Sequence, residues 1–190
     1  MTPAMTQTEI QLFSSFLRCS NRYLEFGSGG STVLAANQVK RSVDSVDSSL
    51  EWLEKVYSYC NENNTPIKPR VHHVDIGPTK EWGNPKDESS IENWHLYHSQ
   101  IWETTDIGLC DLFLVDGRFR VACFLQTLAH AHPSAIILIH DFKLRTNYHV
   151  AREFGREIAS SDTLSAFQRR SDYNPAHAAE ILGRHWRDVG

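Results

Sequence analysis

The chain has 190 residues, 41% of them hydrophobic and 22% charged, a balance that suits one domain with a full hydrophobic core. Its formal net charge of −4 gives no broad cationic field, so nucleic acid is not expected as a main partner. The first residues, MTPAMTQTEI, lack the basic and apolar stretches of a secretory signal, and no apolar run approaches the roughly 20 residues that span a bilayer. No membrane partner is therefore expected. Cys19, Cys60, Cys110 and Cys123 are scattered without a CxxC pair, so neither a metal site nor a disulfide framework is indicated. Buried free thiols suit a reducing compartment, and the expected location is cytoplasmic.

Thr6 and Glu9 have capping-box spacing, and Ile10, Phe13 and Leu17 follow at helical intervals, which predicts an opening helix. NRYLEF is a short strand, followed at once by the glycine turn GSGGST and an apolar helical stretch, VLAA. RSVDSVD is a second strand ending at Asp47. Ser48 and Glu51 have the spacing of another capping box, and Leu50, Leu53, Val56, Tyr57 and Cys60 form a helical stripe behind it. PRVHHVDI is predicted as a third strand. CDLFLVD and AIILIHD, a fourth and a fifth, are near-continuous apolar runs of the kind buried on both faces. VACFLQTLAHA between them is predicted as a helix, and so is YHVAREFGREIA after the fifth strand. DTLSAFQRR is predicted as an edge strand. AHAAEILGRHWRDV is a closing helix with Ala179, Leu182 and Trp186 on one side.

Strands alternating with helices imply an α/β fold, a doubly wound, mostly parallel sheet with helices on both faces. The segment 77–110 breaks this rhythm. Its first part is rich in Gly, Pro and charge. Its second part sets Trp94, Tyr97, His98, Ile101 and Trp102 at helical spacing. It suits a lid or substrate-binding insertion, or equally a helix covering the sheet by ordinary burial. Its aromatics would serve a homodimer contact as well as a lid.

In an open parallel sheet, ligands sit at the carboxyl ends of the strands, near the point where strand order reverses. The residues expected there are Glu25 to Thr32, Asp47, Asp75, Asp116, and His140 with Asp141. Gly27, Gly29 and Gly30 would let backbone approach a ligand, and the following helix would offer free N–H groups to a carboxylate. Asp47 lies about 20 residues past Gly27, where a carboxylate can grip vicinal ribose hydroxyls. A dinucleotide fingerprint starting at Gly27 would need glycine at position 32, and Thr32 stands there. No GK[ST] follows to make a phosphate loop. Glu25, two residues before the first glycine, disfavours a pyrophosphate and suits a ligand with an ammonium group.

The ExGxG turn resembles motif I of the class I S-adenosylmethionine-dependent methyltransferases. The ordered set EFGSGGST, VDIGPT, EWG, VDGRFRVAC and HDF, from Tyr23 to Phe154, is similar to small bacterial methyltransferase-like proteins. The resemblance implies a single methyltransferase-like domain over 1–190, with S-adenosylmethionine as cofactor and S-adenosylhomocysteine as product. It implies Glu25 near the donor's amino group, Gly27, Ser28 and Gly29 beneath the ligand, Asp47 on the ribose, and Asp75 with Ile76 at the adenine edge. Ser48 follows Asp47 into the same site. The chain departs from GxGxG, since Ser31 follows Gly29–Gly30. Gly30, Ser31 and Thr32 would then meet the carboxylate, the last two through their hydroxyls.

Asp116, His140 and Asp141 are the groups expected beside the methyl acceptor, with His140 as general base and an aspartate orienting it. Its alternative role is a structural histidine at the strand end. Catechol-type O-methyltransferases hold Mg²⁺ with two aspartates and an asparagine. Asp116 and Asp141 resemble two of these, but Phe142 stands for the third, so no metal is expected. Arg118, Arg120, Lys143 and Arg145 flank the same strand ends and could bind an anionic acceptor. The expected activity is O-methylation of a small molecule or glycan. A non-catalytic S-adenosylmethionine-binding protein and an NAD-dependent oxidoreductase are the alternatives.

Overall fold

Thr6 opens the first helix, α1 (Gln7–Cys19), through the predicted reciprocal cap. Its hydroxyl accepts from the Glu9 N–H at 3.2 Å, and the Glu9 carboxylate accepts from the Thr6 N–H at 2.9 Å. The computed structural model describes residues 1–190. The strands are β1 (Arg22–Phe26), β2 (Ser42–Asp47), β3 (Arg70–His73), β4 (Leu112–Val115), β5 (Ile136–Ile139), β6 (Gly155–Ser161) and β7 (Leu164–Arg169). After α1 come α2 (Gly30–Gln38), α3 (Leu50–Glu62), the single turn α4 (Leu96–Ser99), α5 (Arg120–His130) and α6 (Pro175–His185). No helix is long and apolar enough to cross a membrane.

All seven strands form one sheet in the order β3-β2-β1-β4-β5-β7-β6. The first five strands pair in parallel, and β7 runs antiparallel to both β5 and β6. Alternate residues of the central strands feed two cores, as the period of two requires. Tyr23, Leu112, Leu114 and Leu138 pack with Phe13, Leu17 and Ala35 beneath α1 and α2. Leu24, Phe26, Phe113, Val115, Ile137 and Ile139 pack with Phe119, Phe124 and Leu128 beneath α5. Two-sided burial explains why β4 and β5 are continuous apolar runs rather than alternating ones.

Several elements differ from the sequence expectation. Ser49 caps α3 rather than Ser48, accepting from the Trp52 N–H at 3.2 Å. The third strand is only four residues long, because after His73 the chain leaves β2. The helix expected over YHVAREFGREIA is a 3-10 segment, Thr146–Glu153, that gives way to β6. Gly155 ends it: a Cβ there would meet Phe124 at 2.8 Å and Phe167 at 3.2 Å, so bare backbone lies against the core. β6 and β7 form a hairpin that turns at Asp162, whose φ is 45°. Consequently β7 is not the edge strand; it lies between β5 and β6, and β6 takes the edge. In the closing helix, Ala178 and Ile181 are the buried residues, with Leu182 and Trp186 packed partly against the core.

Segment 77–110 divides as its composition does. Its first half is a loop pinned by the bridge between Thr79 and Pro85. Its second half is short turns whose Trp94, Tyr97 and Ile101 are buried in the larger core. Tyr97 and Trp94 stack obliquely on Phe119, with ring centroids 5.5 and 5.7 Å apart. Ordinary burial therefore accounts for these aromatics. Trp82, in the first half, is 79% exposed and sits at φ 62°, a backbone region that strains a bulky side chain.

Candidate functional site

The strand order reverses between β1 and β4, and the expected site residues gather at that edge. The glycine turn connects β1 to α2. Gly27 has φ +100°, and a Cβ on it would lie 2.6 Å from the backbone nitrogen of Gly117, in the turn after β4. A Cβ on Gly30 would lie 2.2 Å from the Thr2 backbone, which packs over the start of α2. Two of the three glycines thus serve chain against chain rather than chain against ligand. Gly29 alone faces open space, with only the Trp52 indole nitrogen at 4.0 Å. That indole donates to the Ser28 carbonyl at 2.6 Å and lies across the turn. Trp52 was not anticipated; its one sequence signal is a large aromatic on the polar side of α3.

Glu25 is fully buried. Its carboxylate accepts from the Tyr23 hydroxyl at 2.8 Å, the Ser45 hydroxyl at 3.2 Å and the Thr32 hydroxyl. Burial pushes its pKa up to about 8, against the opposing pull of those hydroxyls. Thr32 also accepts from the Gly29 N–H at 2.9 Å and contacts the Ser28 hydroxyl at 3.3 Å. The carboxyl therefore ties β1, β2 and the start of α2 together from within. It is closed off from the surface, and any influence on a donor's ammonium would pass through this network. Ser31 is buried in the first turn of α2, whose leading amides have no partner inside the helix.

Asp47 ends β2 and is nearly enclosed. It accepts from the Ser28 N–H and the Ser49 N–H, both at 2.9 Å, so it fastens the glycine turn to the end of β2. Burial raises its pKa, while those amides and the Arg118 charge pull the other way. Each oxygen keeps a lone pair for a further donor. Beside it the Ser48 hydroxyl is buried without a partner. The Glu81–Gly83 turn lies above both, and a Cβ on Gly83 would sit 3.2 Å from the Ser48 oxygen. Asp75 is exposed and accepts from the Gly77 N–H at 2.9 Å. Ile76 is buried in the core, and its carbonyl accepts from the Trp94 indole at 3.2 Å.

Asp116, His140 and Asp141 come together as expected. His140 Nδ1 lies 2.9 Å from the Asp116 carboxylate, and its Nε2 lies 3.5 Å from Glu9 at the start of α1. Both ring nitrogens therefore face carboxylates. Burial alone would lower the histidine's pKa, but the Asp116 hydrogen bond and charge, then the charges of Asp141 and Glu9, raise it overall. A histidine with a carboxylate on each ring nitrogen links those two groups. Arg120 is the member that sequence reading undervalued. It is 4% exposed, and its guanidinium donates to the backbone carbonyls of Gly117, Asp116 and His140 at 2.9, 2.9 and 2.6 Å. It also pairs with the carboxylates of Asp116 at 3.3 Å and Asp141 at 3.2 Å. The two aspartates that resemble a metal pair are thus held by a cation already, and Phe142 is buried in the core. This donor set does not fit Mg²⁺.

No protein-family model matches the chain, and no curated protein matches it. Solved structures do. A methyltransferase-like protein from Silicibacter pomeroyi is 29% identical, covering 98% of this chain and 97% of that one, with a TM-score of 0.90. The fold is that of the class I S-adenosylmethionine-dependent methyltransferases. An O-methyltransferase from Bacillus cereus, solved with S-adenosylhomocysteine, shares the fold at a TM-score of 0.56 and 14% identity, over 87% of this chain and 81% of its own. An RNA methyltransferase from Salinibacter ruber, also with S-adenosylhomocysteine, does so at 0.56 and 11%, over 90% and 97%. Proteins named for such different acceptors share this fold, so the fold alone does not fix the substrate. The resemblance carried by EFGSGGST and HDF thus extends to the whole architecture, including the antiparallel β7.

Proposed function

We propose that the protein is an S-adenosylmethionine-dependent methyltransferase that methylates an oxygen of a small molecule or glycan. The observation that carries this reading is the edge at β1 and β2. There the amides at the start of α2, the Asp47 carboxylate and the buried, unpartnered Ser48 hydroxyl lie together at the carboxyl ends of β1 and β2. The α2 amides suit the donor's carboxylate, Asp47 the ribose hydroxyls, and Ser48 with Asp75 and Ile76 the adenine edge. When bound, S-adenosylmethionine supplies a methyl group activated by its sulfonium. An acceptor oxygen held in line would take that methyl, with the carbon–sulfur electron pair left on sulfur. The hydroxyl proton leaves to a carboxylate or to water. Both aspartates are paired, Asp116 with His140 and Arg120 and Asp141 with Arg120 and, at 3.8 Å, Arg145; Asp141, which holds no histidine, is assigned this role. His140 acts as a positioning residue.

A non-catalytic donor-binding protein is the second reading, favoured by the pairing of both His140 nitrogens. The four free cysteines, three of them buried, suit a cytoplasmic setting for either. Incubation with methyl-labelled donor and a panel of hydroxylated acceptors separates the two. Label entering product in step with S-adenosylhomocysteine is the expected result. Donor that binds but never turns over favours the binding protein, and no donor binding contradicts both.

A further inference from the structure

The loop after β3 lies across the place the proposed donor must reach. Gly83 sits against the end of β2, where a Cβ on it would lie 3.2 Å from the Ser48 hydroxyl and 4.0 Å from the Asp47 carboxylate. The next residue, Asn84, accepts through its side-chain oxygen from Arg118 Nη1 at 2.9 Å, in the turn after β4. β1 lies between β2 and β4 in the sheet, so the tip of this loop bridges the point where strand order reverses. Beneath it the Ser48 hydroxyl is shut off from solvent and has no hydrogen-bond partner. Buried polar groups are nearly always paired, so an orphan under a cover points to a partner that arrives when the cover lifts.

The cover holds together as a unit but is tied weakly to the rest. The Lys80 N–H donates to the Asn84 carbonyl at 2.8 Å and the Lys86 N–H to the Pro78 carbonyl at 2.7 Å, around the Thr79–Pro85 bridge. Its feet abut, since a Cβ on Gly77 would meet the Ser90 hydroxyl oxygen at 2.5 Å. From Thr79 to Lys86, one hydrogen bond leaves this hairpin, the one between Asn84 and Arg118. None of residues 77–90 is buried. A segment with few buried contacts and one tether belongs to the low end of local stability. Backbone strain lowers it further. Trp82 and Phe119 are the two bulky residues in the left-handed region, at φ 62° and 53°. Phe119 is fully buried, so packing offsets its strain, whereas exposed Trp82 has no such compensation.

We propose that the hairpin Thr79–Pro85 is a gate over the nucleoside half of the donor site, latched shut by Asn84 on Arg118. This assignment rests on the methyltransferase reading, which sets the ribose at Asp47 and the adenine edge beside Ser48. With the gate shut, no ligand atom reaches the Ser48 hydroxyl. The donor therefore binds the lifted form, and its entry is slowed in proportion to how rarely the latch opens.

Thiol labelling of the full chain reads the gate without any donor. In a Cys19→Ser background the remaining native cysteines are buried, and Ser48→Cys adds one thiol beneath the hairpin. That thiol should react with dithionitrobenzoate at least about tenfold more slowly than exposed Cys19 does in the wild type. Adding Asn84→Ala should speed its reaction about tenfold, as loss of a hydrogen bond to a charged group does. Asn84→Asp, whose carboxylate still accepts from Arg118, should keep it slow. Labelling as fast as that of Cys19, or a rate untouched by Asn84→Ala, would overturn the gate. Stopped-flow binding of S-adenosylhomocysteine, with Ser48 in place, is the second readout. Asn84→Ala should raise the association rate about tenfold, and equal rates would also overturn the gate. Failure of S-adenosylhomocysteine to bind either protein would overturn the methyltransferase reading, while the labelling result stood by itself.

Discussion

Gly27→Ala is expected to cost about 3 kcal/mol or more of stability and to abolish binding of S-adenosylhomocysteine. Two effects add. Alanine at φ +100° is strained, and its methyl would lie 2.6 Å from the Gly117 nitrogen and 2.7 Å from the Gly117 Cα. Neither backbone can retreat cheaply. The Gly27 N–H is bonded to the Val46 carbonyl at 2.8 Å and the Gly117 N–H to the Phe26 carbonyl at 2.7 Å. Relief must therefore break the junction of β1, β2 and β4, beside which the proposed donor site lies. Gly29→Ala is the control. Its φ of 171° is extended and its surroundings are open, so stability should stay within about 0.5 kcal/mol. Urea denaturation distinguishes them, and a wild-type midpoint for Gly27→Ala would refute the close approach.

His140→Ala is expected to cost about 3 kcal/mol near neutral pH, because it leaves the buried Glu9 without a cation and Asp116 with Arg120 alone. The pH dependence follows from two opposite shifts. The raised pKa of His140 gives stability that is present below its ordinary value of 6.5 and lost as pH climbs through the folded value. Burial alone would raise the pKa of Glu9, but hydrogen bonds from Thr163 and Thr6 and the His140 charge bring it down to about 2. Its stability is present above 4.5 and lost as pH falls towards 2. The pair should therefore contribute most between pH 4.5 and 6.5. His140→Gln, whose amide can donate to Asp116 but carries no charge, should flatten the alkaline arm of the wild-type stability curve. It should also keep turnover within about tenfold of wild type, whereas removing a general base costs about a hundredfold or more. A loss of that size in His140→Gln would restore histidine as the base.

Much of the architecture was legible because it depends on local pattern. The apolar runs of β4 and β5, the Thr6–Glu9 cap and the Gly27-to-Asp47 interval each report a short-range constraint. The strand ends followed, since a parallel sheet puts its carboxyl ends on one edge. What escaped depends on distant partners. YHVAREFGREIA has helical composition, but Gly155 must lie bare against Phe124 and Phe167, and only the fold reveals that. The glycines of the turn are similar. Their role in admitting Gly117 and Thr2 is invisible until β4 and the N-terminal residues are placed. His140 looked like a base because Glu9, 131 positions upstream (140 − 9), gives no sign in the sequence of meeting its second nitrogen. Arg120 looked like a contact for an anionic acceptor for the same reason, although it is the cation that joins β4 to β5.

The most direct measurement is the melting temperature of the protein with S-adenosylhomocysteine, with NAD, and with neither. Saturating S-adenosylhomocysteine, at about a hundred times its dissociation constant, should add about 2.7 kcal/mol of stability, and NAD should add none. Asp47→Ala should remove most of that gain, since it loses both the carboxylate proposed for the ribose and the bond that holds the Ser28 amide in place. Stabilisation by NAD alone, or none by S-adenosylhomocysteine, would contradict a donor site at the carboxyl ends of β1 and β2.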